Sequence, residues 1–232
     1  MSKNATHGYP PELIVSRETS KPMTDISPLS KDEFAHALGG VPDDVLTRLE
    51  TYLSVLKKWQ KAINLVGPKT LNDPWRRHLL DCAQVAQDIR ATDKVVDLGS
   101  GAGLPGLIIA IMTGADVHLV ESDQRKSTFL REAARATDTS VTVHAERAEE
   151  IPPLDADVVT ARALAPLPRL LPWVHRHLKK GGKSYLLKGS DVDQELTLAA
   201  KEWTMVTSRK PSVSDPSGTV LHVSALAPID VR

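Results

Sequence analysis

In this 232-residue sequence, the residue types and spacing best suited to ligand chemistry lie in Asp97-Leu-Gly-Ser-Gly-Ala-Gly-Leu-Pro-Gly106. Glycines directly after an apolar run let the backbone turn tightly and bring main-chain amides close to a ligand, while the following helix offers its amino end to polar or anionic groups. Asp97 sits inside the end of the apolar run, where a carboxylate can receive an α-ammonium group. Glu121 closes the next apolar run, about 18 residues beyond Gly103, where a carboxylate accepts both hydroxyls of a ribose. Gly101, Gly103 and Gly106 also satisfy the dinucleotide spacing, which alone is a weak signal.

Three features favour S-adenosylmethionine over a nicotinamide dinucleotide. Asp97 offers a partner to an ammonium group that NAD lacks. Pro105 removes an amide where a pyrophosphate would want one, although it also suits a first helical turn. The β-rich runs Met205–Ser208 and Thr219–Ser224, joined through Asp215-Pro-Ser-Gly218, predict a terminal hairpin of a kind usual in methyltransferase sheets. Further along, Ala148 and Glu149 follow the third strand, where an adenine edge would sit, so that Glu149 could accept from its amino group. Arg162, just past the fourth strand, faces the cofactor or the base. His78 and Asp81 stand three apart on one helical face and are expected to form a pair that orders the helical segment or positions substrate. His175 and His177 fall in a basic run and are expected to face solvent. His78 and Cys82 alone do not make a metal site, and no metal is expected.

The elements that must position these residues follow from periodicity. Ser30-Lys-Asp-Glu33 reads as a capping box that opens a short helix ended by Gly39-Gly40. After Pro42, Val45, Leu49, Tyr52, Leu53, Leu56, Trp59 and Ile63 recur at three- and four-residue steps, predicting a long amphipathic helix. A third helix is predicted from about Asn72 to Ile89. From Lys94 strands and helices alternate, predicting a mostly parallel sheet covered on both faces with an antiparallel edge added by the hairpin. The expected organisation is a tail over residues 1–29 anchored at most by Leu13-Ile-Val15, a helical appendage over 30–91, and a cofactor-binding domain over 92–232. A single cysteine, Cys82, excludes a disulfide framework and fits a reducing compartment, the cytosol. The sequence holds no apolar run of membrane-span length and no leader pattern at its start.

Read together, the chain resembles the 16S ribosomal RNA guanine-N7 methyltransferase family, also called glucose-inhibited division protein B, over roughly residues 34–228. The resemblance is carried by Lys57-Lys-Trp-Gln-Lys-Ala-Ile-Asn-Leu65, Arg76-Arg-His-Leu-Leu-Asp81, Val96 through Gly106, Thr160-Ala-Arg-Ala-Leu164 and Leu186-Leu-Lys-Gly189. One departure is Cys82, where the family usually places serine. The resemblance implies a Rossmann-like class I methyltransferase fold, S-adenosylmethionine bound through Gly99, Leu104, Ala148, Glu149 and Arg162, and a guanine of small-subunit ribosomal RNA as substrate. Beside these stand Asp97, Gly101, Gly103 and Glu121 for the cofactor, and Arg76, Arg77, His78, Asp81 and Lys188 for the RNA. Guanine N7 has a lone pair in the ring plane, so its methylation needs no base and can proceed by proximity and alignment. Cytosine C5 would need a thiolate, and Cys82 beside Asp81 in a predicted helix reads as a packed residue. The Asn/Asp-Pro-Pro-aromatic turn that goes with adenine amino methylation is absent from Thr160 to Leu167.

Lys+Arg and Asp+Glu are both 29, which excludes a polybasic protein that adheres to nucleic acid in bulk. Locally the balance differs: residues 57–78 carry a net +5 and residues 162–188 a net +7, so both runs are candidates for phosphate contact. The expected partner is 16S ribosomal RNA or the small subunit, engaged by a monomer. Two rivals remain at this level: a nicotinamide-dependent oxidoreductase, and a non-catalytic RNA-binding assembly factor on the same fold.

Overall fold

The structure is a computed structural model that describes residues 27–229; the tail reading with its Leu13-Ile-Val15 anchor falls largely outside them. Ser30 caps α1 (Lys31–Ala37) reciprocally, its Oγ accepting from Glu33 N–H while the Glu33 carboxylate accepts from Ser30 N–H. Helix α2 (Asp43–Gln60) buries the predicted stripe from Val45 to Leu56 together with Leu46, while Trp59 is half-buried and Ile63 lies past the helix end. Where one helix was expected from Asn72, the chain makes a 3₁₀ turn (Pro68–Asn72), a π-wound turn (Trp75–Leu80) and then α3 (Asp81–Ala86). Asp73 holds the junction, its carboxylate accepting from Leu29 N–H and Arg76 Nε.

A seven-stranded sheet follows, with β1 (Lys94–Leu98), β2 (Asp116–Val120), β3 (Thr142–His144), β4 (Ala156–Arg162), β5 (Leu178–Lys188), β6 (Trp203–Pro211) and β7 (Thr219–Pro228) in the order β3-β2-β1-β4-β5-β7-β6. Strands β3 to β5 run parallel through β1, and β7 lies antiparallel between β5 and β6. The hairpin's second strand is therefore internal and its first strand forms the edge. Helices α4 (Gly106–Thr113) and α5 (Gln124–Ala136) cover one face, and α6 (Leu167–His177) and α7 (Val192–Ala199) the other. Strand alternation assigns the cores: Val95 joins the α4/α5 side, and Val96 and Leu98 the α6/α7 side. Helix α2 packs into the first of these cores, where Tyr52 and Trp59 both meet the Phe129 ring edge-on. Tyr52 also donates its buried hydroxyl to Ala102 O, so the helical segment braces the glycine loop directly.

The sheet order reverses between β1 and β4, and their carboxyl ends open the crevice where such folds bind ligands. Gly106 fixes the distance between the β1 end and α4, because a Cβ there would stand 2.5 Å from Leu119 Cδ2 and 2.6 Å from Asp97 Cβ. Gly106→Ala is expected to destabilise the protein by about 1–3 kcal/mol through overpacking. Urea denaturation checks this, and an unchanged midpoint would mean that α4 can move off the sheet freely.

Candidate cofactor and substrate cleft

A cleft of about 1000 Å³ occupies that crevice. This is the upper end of the range that buries a drug-sized ligand, which leaves room for a second reactant. Of the residues expected at the site, Gly99, Gly101, Leu104, Glu121, Ala148, Glu149, Arg162, Arg77, His78, Asp81 and Lys188 line it. Gly99 and Gly101 adopt φ values of +66° and +54°, which L side chains rarely accept, and this presents the loop's backbone to the cleft.

Three expected residues do not line it. Asp97 is fully buried behind the loop, accepting from Thr160 Oγ1 at 2.8 Å and Gly106 N–H at 3.2 Å. A contact with the ammonium, direct or through water, was expected of it; in the structure its carboxylate makes bonds that hold the loop. Burial pushes its carboxyl up to about 6, against the opposing effect of those hydrogen bonds. Gly103 faces inward, where a Cβ would stand 2.8 Å from Leu107 Cβ. Arg76 is turned to Asp73 and the Ser27 carbonyl.

On the cofactor wall, Glu121 is 8% exposed, its two carboxylate oxygens accepting from Gly101 N–H at 2.9 Å and Asp123 N–H at 2.8 Å. A carboxylate has about four acceptor positions, so the outward lone pairs are free for paired hydroxyls. Ala148 and Glu149 sit farther along the same wall, Glu149 exposed. His177, expected in solvent, is buried and donates Nε2–H to Ala148 O at 2.8 Å, fixing this loop to α6; His175 is exposed. A pyrophosphate would use the first amides of α4, but Gly106 N–H is taken by Asp97 and Leu107 N–H by Gly103 O. The residues therefore suit an adenosyl group carrying an amino acid better than a dinucleotide.

The opposite wall meets the sheet through Arg162. Its guanidinium donates to Asp81 Oδ2 at 2.9 Å, Arg77 O at 3.2 Å and His78 Nδ1 at 3.1 Å. His78 and Asp81 do not bond to each other as expected, because Arg162 stands between them and satisfies both. With Nδ1 accepting, His78 Nε2–H donates to Thr70 Oγ1 at 2.8 Å, and Thr70 donates to Gly67 O. Burial, then the charges of Arg162 and Arg77, hold the imidazole at about 4 and hence neutral. Cys82, fully buried beside this group, has its thiol pushed far up by burial, and no group of three or more potential metal ligands occurs among the described residues.

Sequence reasoning missed the hairpin tip. Asp81 Oδ1 accepts from Ser212 and Ser214, while Arg77 pairs with Asp215 at 2.7 Å, so the β6–β7 connection closes one side of the cleft. No local pattern announces contacts across more than 130 residues. Gln60, which clamps the cleft-lining Leu65-Val66 backbone through both amide atoms, lay within a quoted motif yet was not singled out. The basic run 162–188 is not one surface. Lys188 is tied to Glu195 and Ala165 O at the cleft, whereas Lys179 pairs with Asp157 at the other end of the sheet.

Comparison with known proteins follows the same lines. A family described as rRNA small subunit methyltransferase G matches residues 45–222. The protein of that name from Paramagnetospirillum magneticum is 56% identical over 185 residues, covering 79% of this chain and 90% of its own. The Rhodospirillum rubrum protein is 51% identical over 187 residues, covering 80% and 93%. Among solved structures, M. jannaschii TYW2 in complex with AdoMet aligns with a TM-score of 0.52 at 15% identity, covering 64% of this chain and 75% of that one. The tRNA (m1A58) methyltransferase TrmI from Aquifex aeolicus also gives 0.52, at 11% identity over 78% and 76%. These two likenesses establish the class I methyltransferase fold.

The neutral His78 carries a pH dependence. Between pH 6.5 and 4 the unfolded chain's imidazole binds a proton that the folded one refuses. Its contribution to stability is therefore complete above pH 6.5 and lost as the pH falls towards 4. The stability difference between wild type and His78→Gln, measured by urea denaturation, is expected to grow by about 2–3 kcal/mol from pH 4 to 7. A difference that does not vary with pH would place the charged imidazole in the fold.

Proposed function

The chain belongs to the rRNA small subunit methyltransferase G family, and we propose that it transfers a methyl group from S-adenosylmethionine to N7 of a guanine in 16S ribosomal RNA. The observation that carries this reading is a single cleft whose one wall is a glycine loop backed by Glu121, and whose other wall is helical and basic at its rim. S-adenosylmethionine supplies a methyl group on a sulfonium, ready for in-line attack by a ring nitrogen lone pair, and leaves as a neutral thioether.

The chain's residues bind and align. Gly101 and Glu121 are assigned to the ribose, Ala148 and Glu149 to the adenine edge, and Gly99, Leu104 and Arg162 to the methionyl end. Neither His78 nor Asp97 is poised as a general base: His78 has both ring nitrogens engaged and Asp97 is sealed from the cleft. That agrees with a nucleophile that has no proton to lose, for which alignment alone supplies about 7–11 kcal/mol. For the RNA, Lys126 and Arg169 stand at the cleft without a carboxylate partner among the described residues, as phosphate contacts require. Arg77, His78, Asp81 and Lys188 are engaged within the protein and shape the substrate wall. We infer a monomer as the working unit, acting in the cytoplasm where its ribosomal RNA substrate is expected. No helix among the described residues is long and apolar enough to cross a membrane.

Incubation with labelled cofactor and undermodified small subunits, followed by mass spectrometry of the RNA, is expected to show N7-methylguanine in 16S RNA. Label on another atom, or none at saturation, overturns the reading. Glu121→Ala is expected to weaken S-adenosylhomocysteine binding by about 1–3 kcal/mol in calorimetric titration, and unchanged affinity removes it from the ribose site.

A further inference from the structure

We propose that Asp81 is a charge-balancing positioning residue, its carboxylate fixing Arg162 and cancelling that cation's field where the cleft holds a sulfonium. The inference rests on the S-adenosylmethionine reading above. Strand register places the cation: Leu98 pairs with Ala161, so Arg162 lies beside Gly99 at the mouth of the glycine loop. A guanidinium fixed there would repel a cationic ligand. Among the described residues its one charged partner is Asp81, at 2.9 Å, and both side chains are less than one-fifth exposed. At that depth solvent screens the pair little.

The rest of the Asp81 environment keeps the pair oriented without adding charge. Oδ1 accepts from Ser214 at 2.8 Å and from Ser212 and Gln84 at 3.1 Å, all neutral donors, which leaves Oδ2 to Arg162. The remaining side-chain partner of Arg162, His78, is a neutral imidazole. A purely structural ion pair linking hairpin, helix and sheet would affect all ligands alike. Charge balance separates the net cation from the net-neutral zwitterion. S-adenosylmethionine and S-adenosylhomocysteine share the adenosine and amino-acid groups and differ in the methyl group with its sulfonium charge, so the ratio of their affinities reads the field at sulfur.

Calorimetric titration of both ligands into wild type, Asp81→Asn, Arg162→Gln and the double variant tests this. Asp81→Asn is expected to lower the preference for S-adenosylmethionine by about tenfold, a change a charge of this proximity can produce. Arg162→Gln should raise it, and the double variant should return it near the wild-type ratio. A wild-type ratio in both single variants overturns the proposal; if Asp81→Asn binds neither ligand, an unchanged ratio in Arg162→Gln alone overturns it. Wild-type protein that binds neither ligand would instead defeat the cofactor reading.

Discussion

A carboxylate that water does not reach holds the centre of this fold. Asp97 ends β1 at the point where the sheet reverses and accepts from Thr160 on β4 and from the first amide of α4. One side chain thus fixes the strand pair that opens the cleft, the depth of the glycine loop and the start of the helix behind it. Its donors are neutral, and desolvation raises its carboxyl to about 6, so the site costs stability that surrounding packing must offset. The return is a loop already shaped before any ligand arrives, with less ordering left to oppose binding.

The helical segment extends that arrangement to the other wall. Tyr52 reaches the loop at Ala102, Gln60 shapes the Leu65-Val66 edge, and the π-wound turn delivers Arg77, His78 and then Asp81 to Arg162. A π turn widens the helix and aims consecutive side chains differently from an α-helix, a feature that recurs at functional sites. Through Arg162 and Asp81 the helices, β4 and the β6–β7 tip share one polar cluster. Displacement of any one of them would move the cation at the mouth of the cleft.

Much of this was legible because it depends on local pattern. The capping box at Ser30, the stripe from Val45 to Leu56, the strand–helix alternation and the glycine loop are each set by residues within a few positions. The contacts that complete the site are not local. Asp81 meets Ser214 across 133 positions and Arg162 meets His78 across 84, so no window reveals them. Asp97 was expected at the ligand because its type and position suit one, whereas the pleat turns it towards α4 with Val95, where it is fully buried. His177 was misjudged because the charges around it conceal that it falls on the inward stripe of α6 with Leu170 and Val174.

Zero net charge acquires a sharper meaning from this geometry. The run 162–188 divides between the cleft and the far end of a strand that spans about 30 Å, and most of its cations are committed: Lys179 to Asp157, Lys188 to Glu195, Arg162 to Asp81 and Arg176 to Ile151 O. Acidic and basic side chains line the cleft in equal number. At the cleft, Lys126 and Arg169 are the cations without a carboxylate partner among the described residues. On the proposed reading, a balanced interior with a basic rim would keep phosphates at the edge and admit a neutral base to the centre. An overall positive surface would instead hold RNA anywhere along the molecule.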